Sequence, residues 1–367
     1  MISVFGSKYT QEDIDGVVEC LKNGWTGIGK NVKQFEQEFK NRLKVDNFLM
    51  LDSGSNALFL ALKNLNLPPK SEVILPSFTW VSCAQSIILN DLIPIFCDVD
   101  LLTQNVTIDL IKEKITSKTS AIMVVHYAGL PVDIKPIIDL GFPVIEDAAH
   151  AVDSTVNGEF CGTFGDAGVW SFDSVKNIAV GEGGGIYFKN NKMSEKSLMM
   201  RYCGIGFSGF DSAQKKNDKV WWEYDIKDAN IKMLPSDIEG SLALTQLKNL
   251  NKNQDRRKKI WDFYQEEFKN INLIQPINCE SNQTHSYFTY FIQFTNNKRN
   301  EIAKKLFDLG IYTTLRYHPL HLNDIFKSNF YLENTEKLNE VGLNIPLHQN
   351  LTDDDVNYVT NALKKIL

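Results

Sequence analysis

The chain has 367 residues, of which 43% are hydrophobic, and a formal net charge of −6 at pH 7. That length suits one large core, or a large and a small domain. The acidic balance excludes the global positive field of a nucleic-acid or anionic-membrane binder, so neither is expected as a partner.

In chain order, residues 1–13 lack the basic start and apolar run of a signal peptide, and a cytoplasmic protein is expected. Short apolar runs then recur: NFLML (47–51), EVIL (72–75), IPIFCDV (93–99), AIMVVH (121–126), PVIED (143–147), AGVWSF (167–172) and GIYF (185–188). Each has strand length, and several are apolar on consecutive residues, as in strands buried on both faces. Helical patterns lie between them; after Ser55, residues Leu58, Ala61, Leu62 and Leu65 follow the i, i+3, i+4, i+7 spacing. The longest near-apolar stretch, SIILNDLIPIFCDV, is broken by Asn90, Asp91 and Asp98, so no membrane span of roughly 20 apolar residues is expected. Strands alternating with helices imply an α/β layered domain with a mostly parallel sheet.

The character changes near residue 240. Pro235 and a Ser236/Glu239 capping box open a helix, and a charged helix follows through RRKKIWDFYQEEF. SYFTYFIQF (286–294) reads as a strand, a helix ends at Gly310, and a last helix begins at Thr352. These residues predict a large domain over 1–240 and a smaller α+β domain over 241–367. The polar stretch 212–219 reads as an exposed loop. The six cysteines form no CxxC pair, so buried free thiols are expected rather than a metal site or a disulfide frame.

Four places carry possible chemistry. The turn Ser53-Gly54-Ser55-Asn56 joins a strand to a helix N-terminus, where free N–H groups and the dipole favour a phosphate; a plain helix cap is the alternative. Asp147 stands at the C-terminal end of a strand, where open α/β sheets place ligands, with Glu146 on the opposite face. A cationic ring nitrogen would suit Asp147, and so would a helix cap. Trp80 offers a stacking surface or a core filler. Lys176, in SFDSVKNIAVGEGGG, is a Schiff-base candidate or a solvated surface lysine. Together, a phosphate turn, an aromatic platform, a strand-end carboxylate and a loop lysine are the parts that hold pyridoxal phosphate.

At that point the sequence resembles the DegT/DnrJ/EryC1/StrS sugar aminotransferases, which share the fold type I architecture of aspartate aminotransferase. NGWTGIGKNVKQFEQEF, SGSNAL, PSFTW, VIEDAAHA, SFDSVKNIAVGEGG, DANIKMLPSDIEGSLALTQL and GIYTTLRYHPLHL match the family's segments in order. The resemblance implies a fold type I large domain with a mostly parallel seven-stranded sheet, and pyridoxal 5'-phosphate as cofactor. By position, Lys176 would be the Schiff-base lysine, Asp147 would bind the ring nitrogen and Trp80 would cover the ring. His150 falls at the cofactor too, and Ser55, Asn56 and Ser171 at the phosphate, while Gly183 to Gly185 would let the backbone turn tightly beside the cofactor. Asn230 would reach the phosphate from the second subunit of a homodimer. Trp25, Thr26, Gly27, Arg316 and Tyr317 fall where family members meet a nucleotide sugar.

Four residues depart from the family pattern: His150 for a common glutamine, Ala229 for glycine, Lys232 for arginine and Arg316 for histidine. A dehydrating subgroup replaces the catalytic lysine by histidine; Lys176 favours amino transfer. The resemblance implies L-glutamate as donor and a nucleotide-linked keto-6-deoxysugar, aminated at C4 or C3, as acceptor. A keto sugar acid or a cyclitol as acceptor, or a cofactor-binding regulator without turnover, are the alternatives.

Overall fold

The computed structural model describes residues 1–206, 220, 222–296, 298–326 and 328–367. The loop expected at 212–219 lies outside them. Along the chain run β1 (Leu49–Leu51), β2 (Glu72–Pro76), β3 (Ile93–Cys97), β4 (Thr119–Val125), β5 (Val144–Asp147), β6 (Thr155–Val156), β7 (Glu159–Phe160), β8 (Ala167–Ser171) and β9 (Gly184–Phe188). After them come β10 (Leu273–Ile274), β11 (Gln283–Thr284), β12 (Tyr290–Phe294) and β13 (Gly342–Ile345).

Seven of these strands form one sheet in the order β1-β9-β8-β5-β4-β2-β3, and all seven apolar runs named above supply its strands. From β8 to β3 every neighbouring pair is parallel. Only β9 runs against the rest, antiparallel to both β1 and β8. The central strands are buried almost throughout, which is why they are apolar on consecutive residues rather than alternately. Helix Gly54–Leu65 turns Leu58, Ala61 and Leu62 toward one face of the sheet. On the other face, Ile74, Val124 and Val144 pack with Phe78 and Tyr127. The register sets Val125 beside Asp147 and Asp147 beside Val169, so the strand ends share one edge.

A second, antiparallel sheet of β10, β12 and β13 packs with helices Leu250–Phe268, Arg299–Asp308 and Asp353–Ile366 around Trp261, Tyr264, Tyr290 and Leu363. The capping boxes at Ser236/Glu239 and Thr352/Asp355 form as reciprocal bonds and start their helices. Helix Asp237–Lys248 crosses position 240, and its Ala243 and Leu247 share a core with Val32, Phe35 and Phe39 of helix Lys30–Leu43.

Two local expectations are corrected. The run 286–294 is a strand only over Tyr290–Phe294. Its first half bonds instead to the large sheet's loops: Ser286 N–H donates to Ser154 Oγ and Phe288 N–H to the Ala128 carbonyl, with Tyr287 at φ 50° between them. Secondly, Gly183–Gly185 were expected to make a tight turn. The left-handed residue is Gly181, at φ +99°, while Gly184 and Gly185 lie within β9. Their need for glycine is close approach: a Cβ on Gly184 would overlap the Ser53–Gly54 backbone, and one on Gly185 the Phe48 ring. All six cysteines are free. Among the described residues no helix is long and apolar enough to cross a membrane.

Candidate active site

At the C-terminal edge of the parallel strands lies a cavity of about 390 Å³. Ser55, Trp80, Asp147, His150, Ser171, Lys176, Arg316 and Tyr317 all line it. The β5 alternation delivers Asp147 there and sends Glu146 to the opposite face. Glu146 is wholly buried, accepting from the N–H groups of Gly162, Phe164 and Gly165 and bonding His126 Nε2 at 2.9 Å. Because Val132 N–H donates to His126 Nδ1, the ring proton sits on Nε2 and donates to Glu146.

One end of the cavity is built for an anion. Ser53 caps helix Gly54–Leu65, its Oγ taking the Asn56 N–H at 3.1 Å. Gly54 and Ser55, whose N–H groups have no intrahelical acceptor, line the cavity. Ser55 Oγ meets Ser82 Oγ at 2.6 Å, and Ser171, at the end of β8, lies against Gly54; a Cβ on that glycine would come within 2.9 Å of the Ser171 Cβ. Three hydroxyls thus surround a helix N-terminus, with a gap that only glycine leaves open.

Lys176 sits on the loop between β8 and β9, which is held by Ser174 N–H to the Gly181 carbonyl and Lys176 N–H to the Asp173 carbonyl. It is buried, at 8% exposure, so the solvated reading does not hold. Burial, then the neighbouring Arg316 charge, lowers its pKa to about 8. Its Nζ lies 4.7 Å from the Phe288 ring centroid, and Arg316 lies 5.0 Å from the same centroid and 4.5 Å from that of Phe5. The ion pairs of the described arginines involve Arg42, Arg201 and Arg256; buried Arg316 joins none of them. His150 stacks on Phe288 at 4.0 Å and bonds Tyr317 Oη at 3.0 Å, and burial followed by the Lys176 charge keeps it neutral.

Asp147 is 5% exposed. Its Oδ1 accepts from Ala149 N–H at 2.9 Å and its Oδ2 from Cys83 Sγ at 3.1 Å. Trp80 is 54% exposed at the start of helix Val81–Leu89, its ring 5.6 Å from Tyr317, so it is a wall of the cavity mouth and not core.

The chain belongs to the DegT/DnrJ/EryC1/StrS aminotransferase family. The family model matches residues 7–364. A dTDP-4-dehydro-2,3,6-trideoxy-D-glucose 4-aminotransferase of Saccharopolyspora spinosa is 34% identical over 362 residues, covering 96% of this chain and 94% of that protein. The crystal structure of the aminotransferase TlmJ from Streptoalloteichus hindustanus superposes with a TM-score of 0.94 at 33% identity, over 100% of this chain and 98% of that one. Spr1654 of Streptococcus pneumoniae, described as a putative sugar aminotransferase, matches in its PMP form with a TM-score of 0.93 at 25% identity, over 100% and 99% of the two chains. Members are pyridoxal-phosphate-dependent aminotransferases, and this chain is one.

The cavity fits that cofactor. The hydroxyl-ringed helix N-terminus suits its phosphate, the buried carboxylate its ring nitrogen, and the buried lysine its aldehyde; His150 Nδ1 is buried without a partner at the lining. Five expected site residues do not line the cavity of the single chain. The Asn56 side chain turns back to Asp52 Oδ1 at 2.8 Å. Trp25, Thr26 and Gly27 precede helix Lys30–Leu43, and the Thr26 and Gly27 carbonyls take the Asp237 N–H. Asn230 is also outside the lining, and neither polar atom of its side chain has a partner among the described residues.

Sequence reading missed Ser82, Cys83, Phe5 and Phe288. The first two sit one helical turn after Thr79 and Trp80, a spacing that signals a shared face. Phe5 and Phe288 arrive from both ends of the chain and carry no local signal.

Proposed function

We propose that this chain transfers the amino group of L-glutamate to the keto group of a nucleotide-linked 6-deoxysugar, at C4 or C3, and works as a homodimer. The observation that carries the reading is Lys176 and Asp147 buried in one cavity beside the hydroxyl-ringed helix N-terminus. The activity named for the Saccharopolyspora relative supports a dTDP-linked 4-keto sugar as the first acceptor to try.

Bound pyridoxal phosphate supplies an aldehyde that takes up the donor amine and a ring that accepts the electron pair of the broken Cα–H bond. Ser55, Ser82 and Ser171 would hold its phosphate, and Trp80 would shield its ring. Asp147, shielded from water, would hold the proton on the ring nitrogen. Lys176, with its lowered pKa, has a neutral fraction near pH 7 that would take the proton from the donor Cα at Nζ and pass it to the carbon of the cofactor's aldehyde; with the acceptor, the same nitrogen would move a proton from that carbon to the sugar carbon. Arg316, a buried cation without a carboxylate partner among the described residues, would receive a substrate anion. Donor and acceptor take turns in one cavity, so ping-pong kinetics are expected.

The division of labour follows the chain: residues 1–240 hold the cofactor, and 241–367 bring Arg316 and Tyr317 over it. Trp25, Ile226 and Ile231 are each more than half exposed, and Asn230 lies in the same segment as the last two. These exposed apolar side chains are assigned to contacts with the second subunit, whose cradle Asn230 would complete.

The test is direct. The protein with pyridoxal phosphate and L-glutamate is offered a panel of nucleotide-linked 3- and 4-keto sugars, and amino sugar and 2-oxoglutarate are quantified. Equal amounts of both are expected. Amination of a keto sugar acid or cyclitol alone would reassign the acceptor, and cofactor binding with no turnover would make the chain a regulator.

A further inference from the structure

Asp147 has a partner that the chemistry above leaves unused. Cys83, in the first turn of helix Val81–Leu89, has no exposed surface, and its Sγ lies 3.1 Å from Asp147 Oδ2. Thr79 Oγ1 stands 3.4 Å from the same sulfur. An ionised carboxylate only accepts, so the thiol hydrogen points to Asp147, and the sulfur lone pair is left for the Thr79 hydroxyl hydrogen. Burial, then the Asp147 charge, pushes the Cys83 pKa well up, so the donor keeps its hydrogen. The three groups form a one-way relay: Thr79 O–H to Cys83 S–H to Asp147 Oδ2.

We infer that Cys83 is a positioning residue that sets how strongly the Asp147 carboxylate attracts a protonated ring nitrogen. A thiol is a weak donor, so it occupies the back of Oδ2, excludes water from it, and withdraws less negative charge than a hydroxyl would. The other oxygen is already fixed by Ala149 N–H. The inference rests on Asp147 being the partner of the cofactor nitrogen. The other titratable or charged groups lining the cavity around the carboxylate are Asp173, Lys176 and Glu182 from the β8–β9 loop, His150 after β5, and Arg316 and Tyr317 after residue 310. Exchanging Cys83 leaves all six in place.

The test has two readouts. In the apoprotein, the infrared S–H stretch of Cys83, isolated by subtracting the Cys83→Ala spectrum, is expected below the free-thiol frequency and to rise toward it in Asp147→Asn. A free-thiol band unmoved by Asp147→Asn would overturn the inference without any variant of Cys83 having to bind cofactor. In the holoenzyme, the pH midpoint of ring-nitrogen protonation is followed by nitrogen NMR with labelled pyridoxal phosphate. Relative to wild type it is expected to fall by roughly half a unit in Cys83→Ser and to rise in Cys83→Ala. Identical midpoints in wild type, Cys83→Ser and Cys83→Ala, with a shifted midpoint in Asp147→Asn, overturn the role of Cys83 alone. A midpoint unaffected by Asp147→Asn overturns the Asp147 assignment itself.

Discussion

Lys176 Nζ lies over the ring of Phe288, 4.7 Å from its centroid. The ring face holds an ammonium without supplying a counter-charge that would fix it in the charged form. Arg316 crowds the same ring, at 5.0 Å, and with burial it lowers the lysine's pKa to about 8. Replacing Lys176 by alanine is therefore expected to abolish turnover and the visible absorbance of the lysine-bound cofactor. Circular dichroism should remain that of the folded protein, since no ion pair is lost.

The lowered pKa has a pH signature. Only the neutral amine attacks an aldehyde, so capture of pyridoxal phosphate by the apoprotein should accelerate as pH rises through about 8. Arg316→Gln removes the neighbouring charge and should move that midpoint upward; stopped-flow absorbance across pH measures both. The same shift enters stability. The folded pKa lies below the unfolded 10.5, so the unfolded chain binds this proton more tightly. Between about 8 and 10.5 the lysine's destabilising contribution therefore fades as pH rises.

Asp147→Asn keeps an acceptor for Ala149 N–H but loses the charge that holds the ring-nitrogen proton. Breaking a buried charge pair costs about 3–5 kcal/mol, so turnover should fall on the order of 10²–10⁴-fold. Single-turnover kinetics with L-glutamate, at saturating cofactor, check it. A loss below tenfold would remove Asp147 from the chemistry.

Asn230 supplies the test of a shared site. Lys176→Ala and Asn230→Asp variants are each expected to be nearly inactive. Mixed and allowed to exchange subunits, they should recover roughly a quarter of wild-type activity, because half the dimers are hybrids with one intact site of two. No recovery in verified hybrids would place each site within one chain.

Gly184 joins fold and cradle. Its added Cβ would overlap the Ser53–Gly54 backbone, so Gly184→Ala should cost about 1–3 kcal/mol. Because that backbone opens the phosphate end of the cavity, cofactor affinity should fall along with the melting temperature. Calorimetry and a fluorescence titration with pyridoxal phosphate give the two numbers.

What was legible in the sequence was local or periodic. Apolar runs marked all seven strands of the main sheet, since strands buried on both faces have no polar alternation to blur them. The Ser236/Glu239 capping box marked a helix start because its partners are three residues apart. Strand alternation separated Asp147 from Glu146, and motif order picked out Lys176. Tertiary structure decided the rest. Whether Lys176 was solvated depended on Phe288 and Arg316, more than 100 residues away. The segment 286–289 left its strand because Ser154 and Ala128 offered its N–H groups nearer acceptors. The thiol behind Asp147 became visible only when helix Val81–Leu89 met β5. By itself the sequence determined elements, whose energetics lie within a few residues. Charge states, close approaches and the contents of the cavity depend on desolvation by groups distant in sequence, and these the packing alone decided.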